Sequence, residues 1–294
     1  MRPLVAVFLL FLVILAPLRM DAQVTSNVFE RVLRVRVNAG TDDEGTATAF
    51  TIDVDGREYL ITAKHVVQGL KDEDKIDVFM NDGWSSLAVK IFRCEDPIDI
   101  AVLIPPHQLT VNFDLPFDGN FRFGQDAYFL GFPYGFQTSG RGVNGPYPLA
   151  MIKQGAISGT VDLDPRKKAV LILLDGYNNP GFSGGSIVYR DLDQSRYILK
   201  LVGVVSGFVP EVVPVMKEHD IKSPANAGNA AKAQPWKIQR RDNGTYFEYV
   251  ENGTYVSLNT GIVQGFLIAP AIDLIRQHPI GPEAKDLPGN DASR

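Results

Sequence analysis

From Val32 to Ile268 the chain runs in short apolar or alternating stretches closed off by turn residues, and no long segment repeats at helical spacing. Val32–Val37 alternates apolar and charged residues after its first two, the period of a strand with one buried face. Asp55-Gly56, between Thr46–Val54 and Tyr59–Thr62, is a hairpin signal. Further strands are expected at Leu87–Phe92, Ile100–Ile104, Ala127–Leu130, Ile157–Val161, Ala169–Leu174, Ser186–Tyr189, Ile198–Val205 and Ile262–Ile268. Only at Ala271–Gln277 do apolar residues (Ala271, Leu274, Ile275) share a helical face, and Pro279 ends that helix. Many short strands separated by Gly/Pro turns imply an all-β sandwich or barrels. Pro105-Pro106 and the irregular stretch to Gly119 divide the strands into two groups, 23–112 and 113–278.

With 45% hydrophobic and 21% charged residues in 294, the composition is globular and excludes a coiled coil, collagen or wholesale disorder. A net charge of −5 gives no support to a basic nucleic-acid-binding surface. One cysteine, Cys94, excludes an internal disulfide and a cysteine-based zinc cluster. Arg2 followed by the apolar run Leu4–Pro17 reads as an export signal, residues 1–22, with a cut after Ala22. The run is shorter than the ~20 residues of a membrane span. No stable span is therefore expected after its removal, although an uncleaved segment would anchor the chain. Export without cysteine pairs fits a bacterial envelope, periplasmic or secreted.

Three patterns carry chemistry. Leu60-Ile-Thr-Ala-Lys-His65-Val-Val delivers a histidine to the tip of a strand. Asp96-Pro-Ile-Asp99-Ile-Ala-Val-Leu103 places an aspartate before an apolar strand. Asn179-Pro-Gly181-Phe-Ser183-Gly-Gly185 sets a serine in a glycine-rich turn. A serine hydroxyl needs an adjacent base to become a nucleophile, and imidazole accepts its proton near neutral pH. A carboxylate fixes the imidazole tautomer and stabilises the imidazolium. Glycines let the turn aim the Gly181 and Ser183 amides at a developing oxyanion. Singly, each pattern is ordinary: an exposed histidine, a cap, a turn. Together they assign His65, Asp99 and Ser183 as a triad, with no metal or cofactor required.

In this order, 34 residues from His65 to Asp99 and 84 from Asp99 to Ser183, the segments resemble a trypsin-like (chymotrypsin-fold) serine protease, and within it the bacterial HtrA/Deg branch. Gly265-Phe-Leu-Ile-Ala-Pro270-Ala-Ile is similar to the last strand and closing helix of that branch. The resemblance covers roughly Val28 to Gln277. It implies two six-stranded antiparallel β-barrels with a short C-terminal helix, a site in the cleft between them, and a protein or peptide substrate. It also implies that Tyr177 lies at the base of the primary pocket, and that Ser206, Gly207 and Phe208 pair with substrate and line the pocket wall. With no aspartate at that base, a small or medium apolar side chain is expected there rather than Arg or Lys.

The departures are informative. Phe182 stands where trypsin relatives carry an aspartate that pairs with a new N-terminal amine, so the oxyanion turn must be held in another way. The PDZ modules of HtrA proteins are not expected in the tail, 279–294. The stretch 209–260 is an insertion, with Ser223–Pro235 read as a loop and Tyr246–Leu258 as a hairpin around Asn252-Gly253 bordering the cleft. Two other classes compete. One is a silent family member that binds without cleaving. The other is a serine esterase, but its nucleophile elbow wants the acid and histidine after the serine, whereas here both precede Ser183.

Overall fold

The computed structural model describes residues 24–112, 115–138, 144–193 and 196–285; the expected export signal lies outside them. In β1 (Val32–Val37), Leu33, Val35 and Val37 turn into one core, while the Arg36 guanidinium turns away and meets Asp77 at 2.7 Å. The β1 strand belongs to an antiparallel sheet with β2 (Gly45–Val54), β3 (Arg57–Thr62), β4 (Lys75–Met80), β5 (Gly83–Ala88), β6 (Lys90–Arg93) and β7 (Ala101–Ile104). Their order is β5-β4-β1-β2-β3-β7-β6. Only Val89 separates β5 from β6, because its backbone is diverted to Glu73 and Asp74. The two edges of the sheet are thus one bent strand, and the seven segments close as a six-stranded barrel. The single strand expected at Leu87–Phe92 spans this bend.

The second sheet comprises β8 (Asp126–Gly131), β9 (Met151–Asp164), β10 (Ala169–Asp175), β11 (Ser186–Asp193), β12 (Arg196–Ile221), β13 (Ile238–Arg240) and β14 (Tyr246–Leu267). Its order is β10-β9-β8-β11-β12-β14-β13, and a further β10–β14 pairing closes six of these strands into a second barrel. The all-β, two-barrel expectation is met, with β13 left over outside the ring. Each barrel has its own core, one around Leu33, Leu60 and Leu103, the other around Phe129, Ile172 and Val205. A third cluster joins the barrels: Phe50, Ile61 and Val102 from the first pack with Tyr128, Leu130 and Phe266 from the second. Helix α3 (Ala269–Gln277) inserts Ile272 and Ile275 into this cluster, with Pro270 in its first turn, where a missing N–H costs nothing. Two short helices complete the described elements, α1 (Ser26–Phe29) and α2 (Asn229–Ala233).

The insertion differs from its sequence reading. Tyr246–Leu258 does not fold back on itself; it pairs with β12, from Ile221↔Tyr246 to Glu211↔Leu258. At Asn252-Gly253 the register slips, with Gly253 at φ +84, so the dipeptide makes a bulge rather than a turn. The partner strand sets Val212 and Val213 opposite Ser257 and Val256, and a ladder that continues on both sides of the dipeptide overrides the local turn preference. The result is a two-stranded ribbon continuing out of the second barrel. Its far end carries a small core of Ala227, Ala231 and Phe247, so the expected loop Ser223–Pro235 is ordered around α2. The tail, 279–294, returns to the first barrel as far as it is described, to Lys285. Glu58 N–H donates to Pro282 O at 2.9 Å and Ala284 N–H to Gly56 O at 2.9 Å. Among the described residues no helix is long and apolar enough to cross a membrane.

Candidate active site

β3 ends at Thr62, and a 3₁₀ turn, Lys64–Val67, lifts His65 to the barrel rim. Asp99 precedes β7 in a loop tied to that turn by the Lys64 ammonium, which donates to Cys94 O at 3.1 Å and Asp96 Oδ1 at 2.6 Å. The two sequence-predicted side chains meet. His65 Nδ1 lies 2.7 Å from Asp99 Oδ2, and the His65 amide donates to Asp99 Oδ1 at 2.8 Å. The carboxylate therefore faces the imidazole and backbone of one residue, which fixes the ring orientation. Ser206, on β12 of the other barrel, donates its hydroxyl to Asp99 Oδ2 at 2.5 Å. Burial by itself would raise the Asp99 carboxyl. Hydrogen bonds from the His65 ring and the Ser206 hydroxyl outweigh it and hold the carboxyl below the usual carboxylate value.

Ser183 arrives from the opposite side, in the turn before β11. Its hydroxyl donates to Ser206 O at 3.4 Å; no hydrogen bond joins it to His65 among the described residues. Nucleophile–base contacts are commonly loose without substrate. The turn around it is tightly held. Pro180 O accepts from Tyr134 N–H at 2.8 Å, and Phe182 O accepts from Gly185 N–H at 2.8 Å. In a trans peptide the N–H points opposite the carbonyl, so these two bonds aim the Gly181 and Ser183 amides away from their anchors. Neither amide has an acceptor among the described residues. Two free donors flanking a serine can hold an oxyanion.

Thr48, on β2, ties this turn to the first barrel. Its hydroxyl donates to Gly181 O at 2.7 Å and accepts from Phe132 N–H at 3.0 Å, while its amide donates to Ser183 O at 3.0 Å. The crowding demands glycine. At Gly184, φ +84, an added Cβ would lie 2.2 Å from Thr48 O.

The residues expected to line the primary pocket lie on two segments. Ser206, Gly207 and Phe208 lie along β12 where it leaves the Asp99 contact. Tyr177 is 57% exposed, at the rim of the segment before Ser183. The buried neighbour is Asn178, which donates Nδ2 to Gly207 O at 2.8 Å and so bridges the two segments. Sequence reasoning missed Thr48, Tyr134 and Asn178. Asn178 adjoins the serine motif, but nothing in the letters Thr48 or Tyr134 connects them with a turn some 50 to 130 residues downstream. Cys94 is buried, and desolvation pushes its thiol up to about 12, which removes it as a nucleophile.

Comparison with known proteins follows the same outline. A family model described as a trypsin-like peptidase domain matches residues 47–194. Among solved structures, a serine variant of the HtrA-type protease AlgW with a tripeptide is 18% identical, with a TM-score of 0.49 over 86% of this chain and 61% of that one. AlgW with a decapeptide is 17% identical, with a TM-score of 0.48 over 86% and 66%. The inactive form of a serine variant of Rv3671c from M. tuberculosis H37Rv is 20% identical, with a TM-score of 0.40 over 61% of this chain and 76% of that one. The chain thus spans 61% of the length of the AlgW variant. No curated protein matches the sequence. Since the matched stretch, residues 47–194, runs from within β2 to the end of β11 and takes in both halves of the cleft, the chain belongs to the trypsin-like peptidase family.

Proposed function

We propose that the protein is an exported serine endopeptidase, periplasmic or secreted, that needs no cofactor. Ser183 Oγ attacks the scissile carbonyl carbon while His65 Nε2 takes its proton. The oxygen that gains negative charge is held by the Gly181 and Ser183 amides. Collapse breaks the C–N bond, the imidazolium returns the proton to the leaving amine, and an acyl ester remains on Ser183. Water, deprotonated by His65, then hydrolyses it. Asp99 keeps the Nδ1 proton of His65 in place and stabilises the imidazolium throughout.

The observation that carries this reading is the His65 Nδ1–Asp99 Oδ2 contact at 2.7 Å facing a serine turn with two unpaired amides. The substrate backbone would pair with Ser206–Phe208. With no aspartate at the expected pocket base, the side chain before the scissile bond is expected to be small or medium and apolar. The ribbon continues from this same strand, so it borders the cleft on the side of the substrate's N-terminal residues.

The second reading, a binding protein that retains the fold, draws on the Ser183 hydroxyl facing Ser206 O rather than His65. Labelling the folded protein with a fluorophosphonate, beside Ser183→Ala, separates the two. Labelling of the wild type alone is expected; a folded wild type that resists the probe sinks the protease reading.

A further inference from the structure

We infer that Lys153 is a positioning residue for the oxyanion turn, its ammonium holding the Tyr177–Phe182 segment in the shape that aims the Gly181 and Ser183 amides. This rests on the protease reading and deepens it. Lys153 lies on β9, opposite Phe129 of β8. Its ammonium donates to Tyr177 O at 2.5 Å and to Asn179 Oδ1 at 2.6 Å. It also stands 5.2 Å from the centroid of the Phe182 ring. All three partners belong to the seven residues ending at Ser183.

The contacts form a chain. Phe182 is fully buried and packs edge-on against Phe129 at 5.1 Å, so the residue before the serine is anchored on the β8 strand beside Lys153. Phe182 N–H donates to Asn179 O at 3.2 Å. Asn179 is thus gripped twice, at its carbonyl by the turn and at its side chain by Lys153. Between those grips lie Pro180 and Gly181, the peptide whose amide is one of the two free donors. With Phe182 in place of an acid, no carboxylate is available in this turn to anchor an amine from elsewhere. An internal ammonium directed at carbonyl and amide oxygens does the same mechanical work, with no cleavage to release it.

The choice of residue is itself informative. Lys153 is partly buried and has no carboxylate partner among the described residues. Desolvation lowers its pKa. A partly desolvated cation with no carboxylate beside it is unfavourable, and an apolar side chain of equal length would cover Phe182 as well. Such an apolar residue could not hold two oxygens of the serine segment, and that is what the ammonium does.

The test uses Lys153→Met, Asn179→Ala and the double variant, with kcat and KM measured on an activated ester and fluorophosphonate labelling rates measured in parallel. An oxyanion hole acts in the transition state, and loss of a donor outright costs about 100- to 1,000-fold in kcat. A displaced donor costs less, so Lys153→Met is expected to lower kcat about tenfold or more, with KM moving less than threefold. Asn179→Ala should lower kcat in the same direction, and the two effects should be non-additive because they break one contact. Lys153→Arg, which keeps a charged donor, should recover part of the rate. A folded Lys153→Met with kcat within twofold of wild type overturns the inference, as does a fall in melting temperature without a fall in kcat. If Lys153→Met does not fold, Asn179→Ala decides: unchanged kcat and labelling there overturn the inference. A wild type that does not label at all sinks the protease reading and this inference together, whereas a labelled wild type beside a fully active Lys153→Met sinks this one alone.

Discussion

Thr48→Val tests how the first barrel holds the serine turn. The two side chains are nearly the same shape, so packing is retained while the hydroxyl is lost, and valine is not a neutral swap for that reason. Thr48 is fully buried, and its hydroxyl makes two hydrogen bonds, to Gly181 O at 2.7 Å and from Phe132 N–H at 3.0 Å. Phe132 is buried, so its amide is left without a partner, at a cost of about 1–3 kcal/mol. Gly181 is only partly buried, so water recovers part of its loss. Together they give about 2–4 kcal/mol, or roughly 5–15 °C in Tm for a domain of this size. The released Gly181 carbonyl also frees the next peptide to rotate, which blurs the position of the Ser183 amide. A fall in kcat of about tenfold is expected, smaller than the 100- to 1,000-fold cost of deleting a donor. Thr48→Ser is the control: it keeps the hydroxyl, loses one methyl worth about 1 kcal/mol, and should retain nearly full kcat. Calorimetry and ester hydrolysis read both variants. If Thr48→Val matches wild type in kcat while Tm falls, Thr48 supports the fold without positioning the turn. If neither changes, the two hydrogen bonds contribute nothing, and the reasoning fails.

Ser206→Ala removes one of the donors that hold the Asp99 carboxyl low. A depressed carboxyl stabilises the fold above its unfolded value, near 3.8, and loses that contribution as pH falls through the folded value. The variant should therefore be less stable than wild type at pH 7, with the difference closing at acid pH; an equal difference at pH 7 and in acid would refute this. Cys94, with its thiol pushed up to about 12 by burial, should not react with a thiol reagent at pH 8 until the protein unfolds, and rapid stoichiometric labelling of the native protein would contradict its placement.

The parts of the fold legible in the sequence were those whose information is local. Val32–Val37 is a strand with the expected bounds because its alternation matches a half-buried pleat. The His65, Asp99 and Ser183 motifs stand out in the sequence because each is a short run with its own turn chemistry. Lys75–Met80 was missed although Ile76 and Val78 face the core in alternation with Asp77 on the outer face; the burial of Asp77 there comes from its partner Arg36 on β1, which the six letters do not show. Asn252-Gly253 misled because turn preference is worth less than a full strand of pairing with β12. Phe182 was read as a departure. The structure shows what it does instead of forming an ion pair: it fills the second barrel's core beside Phe129.

The division of the site between two barrels explains why its supporting residues escape a reading by motif. His65 and Asp99 belong to the first barrel, and Ser183 with its turn belongs to the second. Four contacts cross between them at the site: Thr48 to Gly181 O, Phe132 N–H to the Thr48 hydroxyl, Thr48 N–H to Ser183 O, and Ser206 to Asp99. Each barrel therefore supplies a hydrogen bond that orients the other's reacting group. Neither half holds the geometry alone, because Asp99 loses a donor and Ser183 loses an anchor as soon as the interface opens. The cluster of Phe50, Val102, Tyr128 and Phe266 that joins the barrels thus holds the two halves of the candidate site together. Apolar burial there, worth about 25 cal/mol per Å², keeps four polar contacts at hydrogen-bond length. If the protease reading holds, a cavity cut into that cluster, far from Ser183, is expected to lower kcat through the same four contacts that a substitution at Thr48 disturbs.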